Sequence, residues 1–185
     1  MNSTKRSPKE MSRRTEGPKS DPTVSENRLA LIEGLNHDLA GEFQAVLMYV
    51  HYSAKITGPY RRELRALFQA EIADEQRHAQ FLADKIVALG GEPTMIAREV
   101  PHADQPRLML EQAVNTEVQA IAAYGERIRQ AEALGDIGLK VMLENQVADE
   151  TQHKEELESI LAGWDEVNWE RTRNEDRWQD DGGQG

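Results

Sequence analysis

Carboxylate and imidazole side chains recur in this chain with a constant offset of 75 residues. The three residues of the first copy and their counterparts in the second copy are Glu42, Glu75, His78, Glu117, Glu150 and His153. In each copy the two glutamates are 33 residues apart, and the second glutamate begins a Glu-x-x-His motif. Internal repetition reflects repeated architecture. Four carboxylates and two imidazoles are also the ligands of a two-metal centre, so the repeat predicts both a fold and a chemistry.

The residues around each glutamate follow the period of an α-helix. Apolar residues lie three and four positions apart on both sides of all four glutamates. This spacing puts each acid on the apolar stripe of its helix, where an apolar residue is expected. A lone carboxylate buried there would cost several kcal/mol or stay protonated. Four of them therefore need shared cations, and two divalent ions would balance their charge.

The donor set indicates which metals to expect. Oxygen and imidazole ligands without thiolates favour Fe(II) or Mn(II) over copper or structural zinc. The chain has no cysteine, which excludes disulfides, thiolate metal sites and thiol catalysis. One Glu-x-x-His motif alone is an ordinary surface pair in a glutamate-rich chain, whereas two copies with matching flanks are hard to obtain by chance. We therefore predict a two-metal site, with a metal-free helical bundle as the alternative.

Four long helices must position these ligands. We predict a disordered basic tail over residues 1–22, a helical bundle over residues 23–163 and an acidic tail over residues 164–185, with a short fifth helix as the alternative. The predicted helices cover residues 23–55, 59–89, 106–134 and 137–162. The proline-containing connection before the third helix is long enough to cross the bundle, whereas short turns join antiparallel neighbours. The predicted fold class is all-α, an antiparallel four-helix bundle with a long crossover between helices two and three.

Composition and charge limit the functions to consider. The net charge is −11, but residues 1–23 carry a net charge of +3, so the remaining 162 residues carry −14. An acidic body attracts metal cations and disfavours nucleic acid, while a basic tail does the reverse locally. No apolar run of about 18 residues exists, so no membrane contact is predicted. No apolar stretch follows the basic N-terminus, so a secretory signal is not expected and the cytoplasm is the predicted location.

These motifs resemble the bacterioferritin branch of the ferritin-like di-iron superfamily. The resemblance covers about residues 27–163 and rests on the repeated ligands, their spacing and Tyr49 beside them. It implies a ferroxidase that binds two iron ions per subunit, with manganese as the alternative metal. Such a protein oxidises Fe(II) with O2 or H2O2 and stores ferric mineral inside a homo-oligomeric cage. In each copy the first glutamate would be a terminal ligand, Glu75 or Glu150 would bridge the metals, and the histidine would cap one metal.

Several positions depart from the related families. Gln76 stands where bacterioferritins carry their haem-binding methionine, so haem is not expected there, and Met48 is the remaining candidate. Ala120 stands where rubrerythrin-like peroxidases usually carry a second glutamate. The weak pattern after Gly163 differs from the fifth helix of 24-subunit cages, which leaves a 12-subunit cage open.

Residues near the ligands have alternative roles. Tyr49 and Tyr124 could hydrogen-bond a ligand or donate an electron, or could be ordinary core tyrosines. Glu71, one turn before Glu75, is predicted to be a surface acid, with a place at the mouth of the site as the alternative. Asp74 and its counterpart are predicted to support the ligands or line a cavity. The remaining histidines are predicted to be surface residues and are His37, His51 and His102.

Three functions fit this pattern. The first is a ferroxidase and iron-storage cage. The second is a two-metal peroxidase or catalase that stores no mineral. The third is a DNA-associating mini-ferritin that uses its basic tail. Three acids lie among the six basic residues of that tail and aromatic residues are absent from it, which disfavours DNA as a partner.

Overall fold

Four helices make up most of the described chain. The computed structural model describes the backbone of residues 22–180 and the side chains of residues 22–164, and contains no strand within them. The helices are α1 (Pro22–Lys55), α2 (Arg61–Ala88), α3 (Pro106–Ala133) and α4 (Ile137–Asp180). The predicted all-α bundle is confirmed. The predicted N-terminal tail, apart from Pro22, lies outside the described residues.

Helix directions follow from the turns and from contacts between helices. A short turn joins α1 to α2 and another joins α3 to α4, so each pair forms an antiparallel hairpin. Tyr49 of α1 contacts Glu117 of α3, while Tyr124 of α3 contacts Glu42 of α1, so α1 and α3 are also antiparallel. Helices α2 and α3 are therefore parallel, and the chain between them must run the length of the bundle. This is the predicted crossover.

Hydrogen bonds attach the crossover to α1. The Asn36 amide donates to the Glu92 carbonyl at 3.0 Å and accepts from the Thr94 amide at 2.7 Å. Further along, the Arg98 amide donates to the Ala40 carbonyl at 2.9 Å. These bonds satisfy backbone groups that a loop would otherwise leave unpaired.

One predicted helix end is wrong. Gly135 has a positive φ of 70° and ends α3, and Gly90 does the same after α2 with a φ of 86°. Gly163 has no positive φ, and α4 continues through it to Asp180 instead of ending at Ala162. A glycine inside a helix costs only about 1 kcal/mol, and no proline comes after it to stop the helix. Residues 164–180 therefore do not form a separate fifth helix, and the acidic tail over residues 164–185 stays a prediction.

The apolar core is divided into two clusters. One cluster contains Met48, Tyr52 and Phe68 and lies where α1 ends and α2 begins. The other contains Leu35 and Leu82 and lies at the opposite end of both helices. The four repeated glutamates lie along their helices between these clusters, at the middle of the bundle.

Candidate metal centre

All four repeated glutamates are buried at the middle of the bundle. At most 4% of any of them is exposed. His78 is 2% exposed, and the side chain of His153 is 11% exposed. The helical spacing therefore predicted the inward face of each ligand correctly. The 75-residue repeat places the ligands of the second copy on the same face of the equivalent helices.

The structure brings all six predicted ligands together. Their oxygen and nitrogen atoms form two groups, and within each group the atoms lie within 4.8 Å of one another. Both groups contain Glu75 and Glu150. One is completed by Glu42 and His78 and the other by their counterparts from the second copy. The arrangement offers two adjacent positions, each with three carboxylates and one imidazole, for cations that prefer oxygen and nitrogen ligands.

The histidines point one ring nitrogen at the centre and the other outwards. His78 Nδ1 lies 2.9 Å from Glu150 Oε1 and 3.5 Å from Glu75 Oε2. Its Nε2 faces Asp149 Oδ2 at 3.7 Å. A carboxylate at Nε2 favours the tautomer that leaves Nδ1 free to bind a metal. The predicted supporting role of the aspartates matches this geometry, since Nε2 of His153 faces Asp74 in the same way at 3.6 Å.

Two tyrosines connect the copies of the repeat. The Tyr49 hydroxyl donates to Oε1 of Glu117, and the Tyr124 hydroxyl donates to Oε1 of Glu42. Both tyrosines are fully buried. Tyr49 is therefore both a core residue and a hydrogen-bond partner of a predicted ligand. Electron donation by Tyr49 stays a prediction.

Burial makes the acids reluctant to ionise without a cation. Burial raises the pKa of Glu42 to about 7. Burial and the neighbouring carboxylates hold the pKa of Glu75 and Glu117 well above the usual range. Burial also acts to raise the pKa of Glu150, but the two histidines facing it outweigh burial and lower that pKa to about 2. Bound cations would supply the positive charge that most of this site lacks.

Unpaired polar atoms show that the site suits metal ions. Glu75 Oε1, both carboxylate oxygens of Glu150, and Nδ1 of both histidines are buried without a hydrogen-bond partner. Such groups are rare in folded proteins, and the ring contacts compensate Glu150 only while the histidines are protonated. Divalent cations coordinated by these atoms would satisfy them together, so the residues fit a two-metal centre.

A pocket between α1 and α3 reaches the ligands. Glu42, Glu75 and Glu117 contribute to its wall, as do Gly41 and Ala120. Ala120 leaves space open with its small side chain, whereas beside Gly41 the Arg98 guanidinium lies 3.1 Å from where an added methyl group would be. Ala120 is also the position where the rubrerythrin-like pattern has a glutamate, so a larger residue there would narrow the pocket.

Other sequence predictions have mixed outcomes. Glu71 is only 6% exposed and lies beside His153, so the prediction of a surface acid is wrong. Its position one turn before Glu75 was a usable signal, because that step keeps it on the inward face. His37, His51 and His102 are exposed as predicted. Met48 is fully buried and its sulfur accepts a hydrogen bond from Thr116, so it does not face an outer surface where haem could bind between subunits.

The fold and the ligand set define a class of protein. A four-helix bundle with a glutamate on two helices and Glu-x-x-His on the other two is the arrangement of di-iron and di-manganese carboxylate proteins. Residues 32–167 match the family model described as Ferritin, ferritin-like domain. This match spans more than half of the chain, which therefore belongs to the ferritin-like family. No described helix is long and apolar enough to cross a membrane.

Individual relatives support this assignment. A crystal structure of ferritin-like, diiron-carboxylate proteins from Bacillus anthracis shares 48% identity, covers 73% of this chain and 97% of that chain, and has a TM-score of 0.72. Bacterioferritin from Desulfovibrio desulfuricans is 28% identical over 136 residues, which are 73% of this chain and 76% of that protein. Its X-ray structure, described with a diiron site, has a TM-score of 0.66 and covers 75% of this chain and 82% of that chain. The predicted resemblance to bacterioferritin is confirmed.

One further relative shows the shared fold alone. A dodecameric thioferritin from Bacteroides fragilis has a TM-score of 0.72 and 23% identity, and covers 80% of this chain and 94% of that chain.

Proposed function

We propose that this protein oxidises Fe(II) with O2 or H2O2 at a di-iron ferroxidase centre and stores the ferric product inside a cage built from many copies of the chain. The observation that carries the proposal is the pair of buried donor groups that share Glu75 and Glu150. A single divalent metal would use only one group, leave one of the four glutamates unbound and balance only two of the four carboxylate charges.

The roles of the residues follow from their positions. Glu75 and Glu150 belong to both groups and would bridge the two irons. Glu42 and its counterpart belong to one group each and would be terminal ligands, each with one carboxylate oxygen held by a tyrosine. The histidines would each bind one iron through Nδ1. These six residues, with Tyr49 as the additional catalytic residue, form the proposed site.

The chemistry needs both metals together. Two bound Fe(II) ions would supply two electrons to one oxidant molecule, which avoids one-electron radical products. The protein's own part is to hold the ions side by side and to manage protons. Glu42, whose pKa is about 7, can lose a proton when iron binds and regain one when iron leaves.

The assembly is supported by family membership and by the surface of α1. Leu47 and Val50 lie on adjacent turns and are 50% and 48% exposed, although both are apolar. Exposed apolar side chains grouped in this way often mark contacts between proteins. The D. desulfuricans relative is named bacterioferritin, which favours storage over a peroxidase that retains no mineral.

We place the protein in the cytoplasm, and residues 1–22 and 23–163 keep their proposed roles as tail and bundle.

Anaerobic loading with Fe(II), followed by O2 or H2O2, tests the proposal. We expect rapid oxidation and far more than two retained irons per subunit, measured by absorbance and by iron content after particle sizing. Peroxide turnover without retained iron would favour the two-metal peroxidase instead. DNA binding by the full chain and by a tail-deleted variant, compared across salt concentrations, tests the third function.

Substitution of the ligands tests the site itself. Glu75→Ala and His153→Ala should each abolish rapid oxidation, because each removes a metal ligand, while circular dichroism should still report a helical protein. His102→Ala is the matched control, since that histidine is exposed and lies on the crossover. Wild-type oxidation rates in both ligand variants would contradict the assignment.

A further inference from the structure

The pocket between α1 and α3 connects the two-metal centre with the surface of the bundle. The repeated glutamates are almost completely buried, yet Glu42, Glu75 and Glu117 contribute to the wall of this pocket. The same wall contains Gln119, which is exposed on α3. A cation that follows this route to the ligands therefore passes the side chains that form the wall.

A positively charged side chain forms part of this wall. It belongs to Arg98 of the crossover, which is half-buried. Its Nη2 atom donates to the His37 carbonyl at 2.6 Å and to Nδ1 of the same residue at 2.9 Å. Its backbone amide donates to the Ala40 carbonyl at 2.9 Å. Because the His37 side chain is 68% exposed, the guanidinium lies near the surface end of the pocket.

Helix α1 leaves room for this guanidinium. Gly41 comes directly before the predicted ligand Glu42, and a methyl group added to it would lie 3.1 Å from Cζ of Arg98. A glycine inside a helix is less favourable than an alanine, because it loses more conformational freedom on folding. The sequence nevertheless has a glycine at the position where a larger residue would crowd the arginine.

The charge of Arg98 is not cancelled by the groups around it in the wall. Both acceptors of its side-chain hydrogen bonds are neutral, since a ring nitrogen that accepts a hydrogen bond carries no proton. Asp38 also lines the pocket, but Nε of Arg127 lies 3.3 Å from its Oδ2 and offsets its charge. Water screens charges less in a partly buried wall than at an open surface. The glutamates therefore attract a cation at the inner end of the pocket, whereas Arg98 repels it on the way.

We infer that Arg98 is a specificity-determining residue of this pocket, which slows the passage of divalent cations and does not act through its charge on neutral O2 or H2O2. The inference rests on the proposed function, in which both the metal and the oxidant reach the centre. The repulsion acts in both directions, so a bound metal ion also leaves more slowly. Arg98 therefore controls the rates of metal exchange more than the metal affinity.

Metal exchange under anaerobic conditions tests the inference. Association of Co(II) with the full-length protein is followed by stopped-flow absorbance, and dissociation is followed after addition of a chelator. We expect Arg98→Gln to accelerate both steps by about tenfold at low ionic strength. The acceleration should shrink as added salt screens the charge. The affinity, obtained from the two rates, should change much less than either rate.

A conservative variant separates the charge of Arg98 from its shape. Arg98→Lys keeps the positive charge but loses the planar fork of hydrogen bonds, and should exchange Co(II) nearly as slowly as the wild type. If Arg98 only filled space, both substitutions would open the pocket. Arg98→Lys would then be as fast as Arg98→Gln, at high salt as well as at low salt.

Two further variants provide an independent test and a control. Gln119→Arg adds a second positive charge to the pocket wall from an exposed position on α3, so it should slow the exchange. This variant decides the question if the Arg98 variants fail to fold. Arg129→Gln removes an equal charge from an exposed position on α3 that is not part of the wall, and should exchange Co(II) at nearly the wild-type rate.

Three results would overturn the role of Arg98. One is unchanged exchange in both Arg98→Gln and Gln119→Arg, another is equal acceleration in Arg98→Gln and Arg129→Gln, and the third is equal acceleration in Arg98→Gln and Arg98→Lys. Tight binding of two Co(II) ions with any of these results leaves the proposed function intact. If the wild-type protein binds no tight pair of Co(II) ions, the proposed function and the role of Arg98 both fail.

Discussion

At the scale of single residues, each terminal glutamate depends on the other copy of the repeat. The hydroxyl that holds Glu42 belongs to Tyr124, and the hydroxyl that holds Glu117 belongs to Tyr49. A hydrogen bond of this kind fixes one carboxylate oxygen and leaves the other available to a metal. Partners that orient metal ligands in this way are commonly worth about tenfold or more in metal affinity.

Removing either hydroxyl should weaken metal binding without unfolding the bundle. We expect Tyr49→Phe and Tyr124→Phe each to reduce Co(II) affinity by about tenfold, because a terminal glutamate loses its anchor. Calorimetric titration measures the affinity. Tyr52→Phe is the matched control, since its buried hydroxyl donates to the Pro101 carbonyl at 2.6 Å and does not touch the centre. Equal affinities in all three variants would contradict the anchoring role.

The pH dependence of stability follows from the direction of the pKa shifts. Burial raises the pKa of Glu42 from 4.5 to about 7, so the folded protein binds this proton more tightly than the unfolded chain. Stability from such a group is present below pH 4.5 and is lost as the pH rises through about 7. Glu75, whose pKa burial holds well above 4.5, acts in the same direction. Glu150, with its lowered pKa, acts oppositely but only below pH 4.5.

Metal-free protein should therefore unfold more easily at pH 8 than at pH 5.5. We expect the unfolding temperature to fall by about 5 °C between these values. Saturating Mn(II) should remove most of the difference, because the cations replace the lost protons. Differential scanning calorimetry with and without a chelator measures both effects. A metal-free protein that is more stable at pH 8 would contradict these pKa directions.

Much of the site could be predicted from the sequence, because its ligands are repeated and lie in step with a helical period. Glu71 lacks this support from the repeat. Its spacing of one helical turn from Glu75 predicts the inward face. The equivalent residue in the second copy is Gln146, however, so the repeat does not predict an acid at this position. The contact between Asp74 and His153 joins α2 to α4, and helical spacing within one element carries no information about such contacts.

At the scale of the elements, close contact between α1 and α3 depends on a glycine. A methyl group added to Gly34 would lie 1.4 Å from Nη1 of Arg127. The Arg127 side chain crosses α1 at this point, and its Nε lies 3.3 Å from Oδ2 of the buried Asp38. Gly34 is therefore kept inside a helix at a conformational cost, because any side chain there would displace this arginine.

Two glycine substitutions should change stability in opposite directions. Gly34→Ala should destabilise the protein by about 1–3 kcal/mol, because displacing Arg127 leaves Asp38 buried without its partner. Gly125→Ala should stabilise it by roughly 0.5–1 kcal/mol, because nothing lies near the added methyl group and alanine favours the helix. Chemical denaturation measures both. Stabilisation by Gly34→Ala would contradict the role given to Arg127.

Helix ends were predictable where the backbone needs a glycine. Gly90 and Gly135 adopt the left-handed conformation and end their helices as expected. Residue 163 is also a glycine, but it remains helical because a glycine permits a helix to end and does not require it to end. Residue type alone could not distinguish these cases, since a helix also ends or continues according to the residues on the C-terminal side of the glycine.

At the scale of the whole molecule, the exposed apolar residues of α1 bear on assembly. Leu47 and Val50 would contact water in an isolated subunit, which is unfavourable for apolar side chains. Their exposure could not be predicted from the sequence, because an apolar residue on a helix can face either its own core or a neighbouring subunit.

Placing charge on this surface should break the cage. We expect the wild-type protein to have a native mass of many subunits, each of 20.9 kDa. Leu47→Glu combined with Val50→Glu should give much smaller particles with unchanged helical content, because charges buried between subunits are unfavourable. His102→Glu, which adds charge on the exposed crossover, is the control. Native mass spectrometry measures the outcome, and full-sized particles from the double variant would contradict this role of α1.

The division of the two donor groups between the hairpins has a consequence for the kind of site this is. Each group takes three ligands from one hairpin and one from the other, either Glu75 or Glu150. The centre is therefore an interface between two similar half-molecules, in the way that a symmetric dimer builds a site along its axis. Covalent linkage through the crossover removes the requirement that the halves be identical. The two halves do differ at one pair of equivalent positions, Glu71 and Gln146. The two sides of the centre, which exact symmetry would make equal, are therefore chemically different.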